Sequence, residues 1–343
     1  MDTKTRDYYF DNAKFILIIL VVMAHGISKA EGWNPVVTTI WTFINMFHMP
    51  AFLFISGYFS KKAAAGGRAD VQKLFTYMLY YAVAQIVSVL FDHFVLHDPE
   101  VTKSMLYAMS SLWFLQIIIV YHTLLPFLAG LKNSAVMIIS LAAGMLIGFD
   151  AAVGHFLSIH RAFAFMPFFI AGYVFSPELM AKARQTGAAV RIGAGAFLAA
   201  VFAAIHFKLL NMPDMVFTGP FNYYRIAEDT GIAWYSAAMW RAAHYVIAGL
   251  MIAAFMLVIP RGKTFFSRFG ARTLSVYILH RFLYVTSLEF GWVKNNVNSW
   301  GSFILLVLII IAVTFILSLK PFDIPFKALR SIKLDRILNK EGK

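Results

Sequence analysis

Apolar runs long enough to cross a bilayer recur from one end of this sequence to the other, and they leave little choice of fold. About ten of them lie near residues 13–31, 39–60, 74–93, 106–129, 134–150, 161–176, 192–208, 240–259, 273–290 and 301–319. Each has roughly the 17–25 residues that a helix needs to span a hydrocarbon core of about 30 Å. Backbone N–H and C=O groups in lipid must pair within their own segment, so runs of this length read as helices. The expected fold is all-α, a polytopic transmembrane bundle of about ten spans. Composition supports the membrane class, with 60% hydrophobic and only 14% charged residues and a mean hydropathy of +0.70. The first run follows Asp2, Asp7 and Asp11, an acidic flank unlike that of a secretory signal, and is read as retained.

Charge orients the bundle. Of the 30 Lys and Arg residues, 22 fall in six places: the N-terminal segment through Lys14, Lys61–Lys73, Lys132, Lys182–Arg191, Arg261–Arg272 and the segment from Lys320 onward. In a ten-span chain these are alternate connections, and the positive-inside bias then predicts N-in, C-in. The net charge of +13 reads as a collar facing anionic membrane lipids, and no nucleic-acid partner is expected. Two regions follow: residues 1–320 as the spanning domain and 321–343 as a basic amphipathic tail, FKALRSIKLDRIL, lying on the inner surface. With no cysteine, thiolate metal sites and cysteine nucleophiles are excluded. The glycines of AAAGGRAD follow no strand, so no dinucleotide fingerprint is present.

Polar residues inside apolar runs are the functional candidates, because such groups need partners or a cavity. In the first run Lys14 and His25 are eleven residues apart, about 20° in azimuth and about 16 Å along a helix, so one face carries both. Asp11 joins that stripe, yet lies about 21 Å from His25, too far to orient it. The second run contains His48, Pro50, Ser56 and Gly57; Ser56 also fits a close helix approach. Arg161 and Arg241 with His244 open later runs near the outer boundary, and His280 with Arg281 lies deeper in its helix. The ten histidines are scattered and no HExxH occurs, so no metal is expected. The outer segment 209–239 mixes Tyr223, Tyr224, Arg225, Asp229, Trp234 and Tyr235, fit for stacking on a sugar or for an interfacial belt.

Five segments, in order, carry a resemblance: RDYYFDNAKFILIILVVMAHG, FHMPAFLFISGYF, LWFLQIIIVYHTLLP, RAFAFMPFFIAGYVF and FGARTLSVYILH. Together they resemble the acyltransferase-3 family of integral-membrane O-acyltransferases, closest to its fucose 4-O-acetylase-like branch. The resemblance implies a multi-pass protein of a bacterial-type plasma (inner) membrane. It would move an acyl group, usually acetyl from cytosolic acetyl-CoA as cosubstrate, to a hydroxyl of a cell-surface or lipid-linked glycan. It implies that His25 is catalytic and that Lys14 is needed beside it. The family's Arg-x-x-Arg element before the third span has only Arg68 and Lys73, out of register, as counterparts.

O-acyl transfer needs a base for the acceptor hydroxyl, donors for the developing oxyanion, and exclusion of water. His25 is the expected base, since imidazole exchanges a proton near neutral pH. Lys14, with Asp11, Arg68 and Lys73, is expected toward the acyl donor, although Lys14 can also simply pair with Asp11. Arg161, Arg281, His280, Trp113, His48 and Ser56 are expected around the acceptor or oxyanion. The rival reading is a transporter or flippase for a glycan or lipid-linked intermediate, with the same residues lining a pathway and no bond made.

Overall fold

The computed structural model describes residues 6–61, 69–101 and 103–334. Its helices are α1 (Tyr8–Gly26), α2 (Pro35–Tyr58), α3 (Val71–Phe94), α4 (Trp113–Leu128), α5 (Asn133–Leu146), α6 (Ile159–Val174), α7 (Pro177–Gln185), α8 (Ala188–His206), α9 (Asp214–Thr218), α10 (Tyr223–Thr230), α11 (Trp234–Val258), α12 (Thr273–Glu289), α13 (Trp292–Asn296), α14 (Trp300–Leu317) and α15 (Lys320–Ser331). No strand occurs among the described residues. Eight helices are long and apolar enough to cross a membrane, α4 and α6 counting with the 3-10 turns that lead into them. Of the two other apolar runs, one folds as α5, 14 residues long, and the other as α12, 17 residues long.

Two of the boundaries that differ from the hydropathy reading show the physical reason in their contacts. Helix α1 begins at Tyr8, five residues earlier, because Asp11 and Asn12 are sealed by partners instead of being left to water. Asp11 pairs with Arg6 at 2.6 Å and Lys14 at 3.0 Å. Asn12 donates to the carbonyls of Pro260 and Gly262, both at 2.9 Å, and accepts from Thr264 and Ser267. Conversely, residues 106–109 are not helical. Their backbone is tied to α3 by Gln85, which donates to the carbonyls of Ser104 and Tyr107 and accepts from the Met109 N–H at 2.9 Å. Irregular backbone at membrane depth is tolerated where protein supplies such partners.

Helix α1 runs through the middle, against α2, α12, α14 and the 3-10 turn Ser267–Arg272. Gly270 lets that turn lie on the Asp11 carbonyl, where a methyl group would overlap it. The tightest helix pair is α2 with α6, made by two glycines in reciprocal contact. A methyl on Gly57 would overlap the Phe169 carbonyl, and one on Gly172 would overlap the Phe54 carbonyl. Helix α8 lies at the rim, with few buried residues.

Polar contacts gather the basic connections at one end. Arg6 donates to the Ser267 carbonyl, Arg184 pairs with Asp7 at 2.8 Å, Arg261 donates to the Thr186 carbonyl and Lys61 to that of Phe175. At the opposite end buried Arg241 donates to the Phe221 carbonyl at 2.8 Å and stacks over Tyr223 at 4.7 Å. This clamp folds the segment after α8 back over the bundle. Tyr223, Arg225, Asp229 and Trp234 are engaged there with their own neighbours: Tyr223 with the Met145 carbonyl, Arg225 with Asp229, and Trp234 with Phe149.

Because both α2–α6 glycines face backbone, neither can be relieved by a side chain moving aside. Gly57→Ala and Gly172→Ala are each expected to cost about 1–3 kcal/mol, lowering the melting temperature in detergent by several degrees. Gly193→Ala, where a methyl meets nothing within 4 Å, should leave it unchanged or raise it. Equal melting of all three would mean the glycine contact does not set the α2–α6 distance.

Candidate active site

Two cavities lie along α1. The first, about 210 Å³, is walled by His25 with Val21, Ala24 and Ser28, by Trp41, Asn45, His48 and Met49 of α2, and by Ser111 and Trp113 where α4 starts. Arg161 and Phe165 of α6, Phe217 and Thr218 of α9, and Tyr277 and Tyr284 of α12 complete it. The second, about 160 Å³, holds Lys14, Ile18 and Val21 of α1, with Ser56, Phe114, Leu115, Thr273 and Leu274 among its other walls. Val21, Met49 and Tyr277 line both and form the partition. The Tyr277 hydroxyl donates to the Ser111 carbonyl, which fixes the ring in that partition.

The stripe on α1 therefore places Lys14 in one cavity and His25 in the next. His25 is flanked by two rings of α12, His280 at 5.2 Å and Tyr284 at 4.9 Å between centroids. His280 is 1% exposed; its Nδ1 donates to the Val276 carbonyl at 3.0 Å and its Nε2 has no partner among the described residues. His48 likewise commits Nδ1 to the Ile44 carbonyl at 2.7 Å, which leaves Nε2 of that cavity-lining ring as an acceptor.

Arg161 and Trp113 come from helices that begin inside the protein. The Arg161 guanidinium lies 4.9 Å over the Trp113 ring, which stacks on Phe165 at 5.6 Å. One N–H is given to the Thr218 carbonyl at 3.2 Å. Both helices start after residues in left-handed backbone: Ser110 at φ 43°, Leu157 at φ 48° and Ser158 at φ 51°. Such residues cost about 1–3 kcal/mol unless their surroundings hold them. Gln116 holds Ser158, accepting from its Oγ at 2.5 Å while donating to Tyr81 Oη at 2.7 Å, and Leu157 donates its N–H to the Leu106 carbonyl at 2.7 Å.

Of the residues singled out from sequence, His25, His48, Trp113 and Arg161 meet in the first cavity and Lys14 and Ser56 in the second. Asp11 is paired with Lys14 rather than lining either, and His280 stands behind His25. Lys73 is in the first turn of α3, apart from both cavities, with its ammonium 5.9 Å from the Tyr77 ring. Arg68 lies outside the described residues. Arg281 was expected at the acceptor pocket, but it lines neither cavity. It is held by Asp92 of α3 through two hydrogen bonds, 2.6 and 3.1 Å, with both residues buried. Among the described residues no group of three His, Asp or Glu side chains is placed to hold a metal.

Sequence reasoning missed Asn45, Ser111, Thr218, Tyr277 and Tyr284 as cavity walls, and Gln85, Gln116 and Asn12 as their braces. The amides carried a usable signal, being uncharged polar groups inside apolar runs. Of the cavity tyrosines, Tyr277 lies in the FGARTLSVYILH segment that carries the resemblance, whereas Tyr284 carried no signal, since Tyr is common at membrane boundaries.

The model of one protein family, described as an acyltransferase domain of the acyltransferase-3 type, matches residues 7–319. No curated protein and no solved structure matches the chain.

A bracing role for Arg281 has a separate consequence. Arg281→Met or Asp92→Leu alone strands a buried charge and should destabilise by about 3–5 kcal/mol, seen as a lower melting temperature and poor expression. The double variant removes both charges and should recover most of the loss. Additive losses in the double variant would show that the pair is not the source.

Proposed function

The chain belongs to this acyltransferase family, and from that membership we propose that it is an O-acetyltransferase working across the membrane. The donor is acetyl-CoA from the cytosol, and the acceptor is a hydroxyl of a cell-surface or lipid-linked glycan, as in the fucose 4-O-acetylase-like branch. Ten helices cross the plasma membrane with both termini inside; α5 and α12 are the two shorter ones, and α15 lies on the inner surface. The segment over the far end of the bundle then faces outward, where the acceptor arrives.

One observation carries this reading: a basic residue and a histidine of the same helix sit in successive cavities divided only by Val21, Met49 and Tyr277. A donor reaching in past Lys14 brings its thioester to that partition, and an acceptor entering from the other side brings its hydroxyl to His25. His25 takes the hydroxyl proton as the oxygen adds to the thioester carbonyl. Arg161, over Trp113, holds the negative charge that develops on the carbonyl oxygen. When the tetrahedral intermediate collapses the C–S bond breaks, and the leaving thiolate takes the proton from His25. Acetyl ester and coenzyme A are the products. His280 and Tyr284 keep the imidazole in place, and the apolar walls limit hydrolysis of the thioester. Metal ions have no part in this scheme.

Inverted vesicles holding the protein and its native acceptor, supplied with acetyl-labelled acetyl-CoA, should transfer label into the glycan or glycolipid fraction. His25→Ala should lower that rate by about two to four orders of magnitude. Label incorporation that survives the substitution would remove His25 from the chemistry, and movement of glycan with no acetyl-CoA consumed would favour a flippase. Arg161→Gln should lower kcat by about 10²–10³. An effect of that variant confined to KM would make Arg161 a substrate-binding group only.

A further inference from the structure

A third cavity, about 400 Å³, lies at the basic end of the bundle, between the first turns of α3 and the C-terminal end of α15. Three cations border it, Lys73, Arg330 and Lys333, against the single carboxylate of Asp70. Asp70 is already engaged as the cap of α3, accepting the Lys73 backbone N–H at 2.9 Å. Among the described residues none of the three cations makes an ion pair, although seven such pairs occur elsewhere in the molecule. Unneutralised cations around a concave space are a site for a multiply charged anion.

The tail is seated there by specific contacts. Gln72 reads the backbone after α15 with both ends of its amide, donating to the Ile332 carbonyl and accepting from the Leu334 N–H, each at 3.0 Å. Tyr80 donates to the Phe326 carbonyl at 3.1 Å. These bonds fix the segment that carries Arg330 and Lys333 against α3. The cavity also adjoins the Lys14 cavity, because Leu274 of α12 lines both. From Leu274 through Tyr277 to Tyr284 one helix then touches all three cavities in turn. Ten residues of helix rise about 15 Å, close to the length of a pantetheine arm.

We propose that Lys73, Arg330 and Lys333 form the seat for the phosphates of the acyl donor's nucleotide end, so that the C-terminal helix completes the donor site. The seat rests on the reading of acyl-CoA as donor and adds the tail to it. Its chemistry is that of a polyphosphate, which a nucleotide or an anionic lipid headgroup can supply; the position next to the Lys14 cavity selects the nucleotide.

The full chain in nanodiscs of purely zwitterionic lipid is titrated with adenosine 3′,5′-bisphosphate, and acetyl transfer is measured alongside. Arg330→Ala/Lys333→Ala, both at exposed positions, should weaken bisphosphate binding at least tenfold and raise KM for acetyl-CoA similarly, with a much smaller change in kcat. Arg330→Lys should restore part of the loss. Unchanged binding and KM in the double variant would overturn the seat while leaving His25-dependent transfer standing. No bisphosphate binding by the wild-type chain, with the variant altering only its retention of anionic lipid, would overturn it in favour of a headgroup site. If acyl transfer itself is the wrong reading, the wild-type chain will bind the bisphosphate and lose it on substitution yet consume no acetyl-CoA.

Discussion

A hydrocarbon layer offers no water, so every polar group placed among these helices has to find its partner inside the chain, and that single demand organises the rest. Asn12 is the plainest case. Fully buried, it joins α1 to residues 260–267 through four hydrogen bonds. Asp11, one residue earlier, is met by Arg6 and Lys14, and the Ser267–Arg272 turn is brought against its carbonyl by Gly270. Losing these contacts would leave several buried donors and acceptors unpaired at about 1–3 kcal/mol each. Helix α1 is therefore held in depth and rotation by its polar first turns, and the positions of Lys14 and His25 follow from that.

The same demand separates residues that brace from residues that are free to act. Arg281 and Asp92 are paired through two hydrogen bonds and stand away from both cavities. Gln85 and Gln116 are likewise spent on holding loop backbone and the starts of α4 and α6. Arg161 is different in kind, with five N–H donors and one committed to Thr218. His48 keeps an acceptor nitrogen, and His25 is held by ring contacts with His280 and Tyr284. Arg161 and His48 thus bring unspent hydrogen-bonding capacity to the first cavity.

This explains how much could be read beforehand. The helical bundle was legible because apolar length is a local property, and so was the alignment of Lys14 with His25, which depends only on the pitch of one helix. Arg281 was not legible: its partner lies 189 residues away, and an arginine deep in an apolar run looks the same whether it faces a substrate or an aspartate. The start of α4 was misplaced for a related reason, since Gln85 turns residues 104–109 into supported loop where their hydropathy continues the span. Tyr277 acquires its place only when α12 meets Ser111 across the bundle.

In the proposed scheme, keeping donor and acceptor on opposite sides of one partition would also address the main hazard of thioester chemistry, attack by water. Val21 and Met49 offer no hydrogen bond to a passing water, and the Tyr277 hydroxyl is already bound to the Ser111 carbonyl. In the proposed scheme an arm extending along α12 would pass Lys14 and Ser56 and then the Val21, Met49 and Tyr277 partition before it reached the cavity that holds His25. In that scheme productive reaction would require two substrates to arrive from opposite ends. Neither cavity alone contains both Lys14 and His25, so by the proposed scheme a lone donor in the Lys14 cavity would lie beside Lys14 and Ser56 with no imidazole to activate water against it.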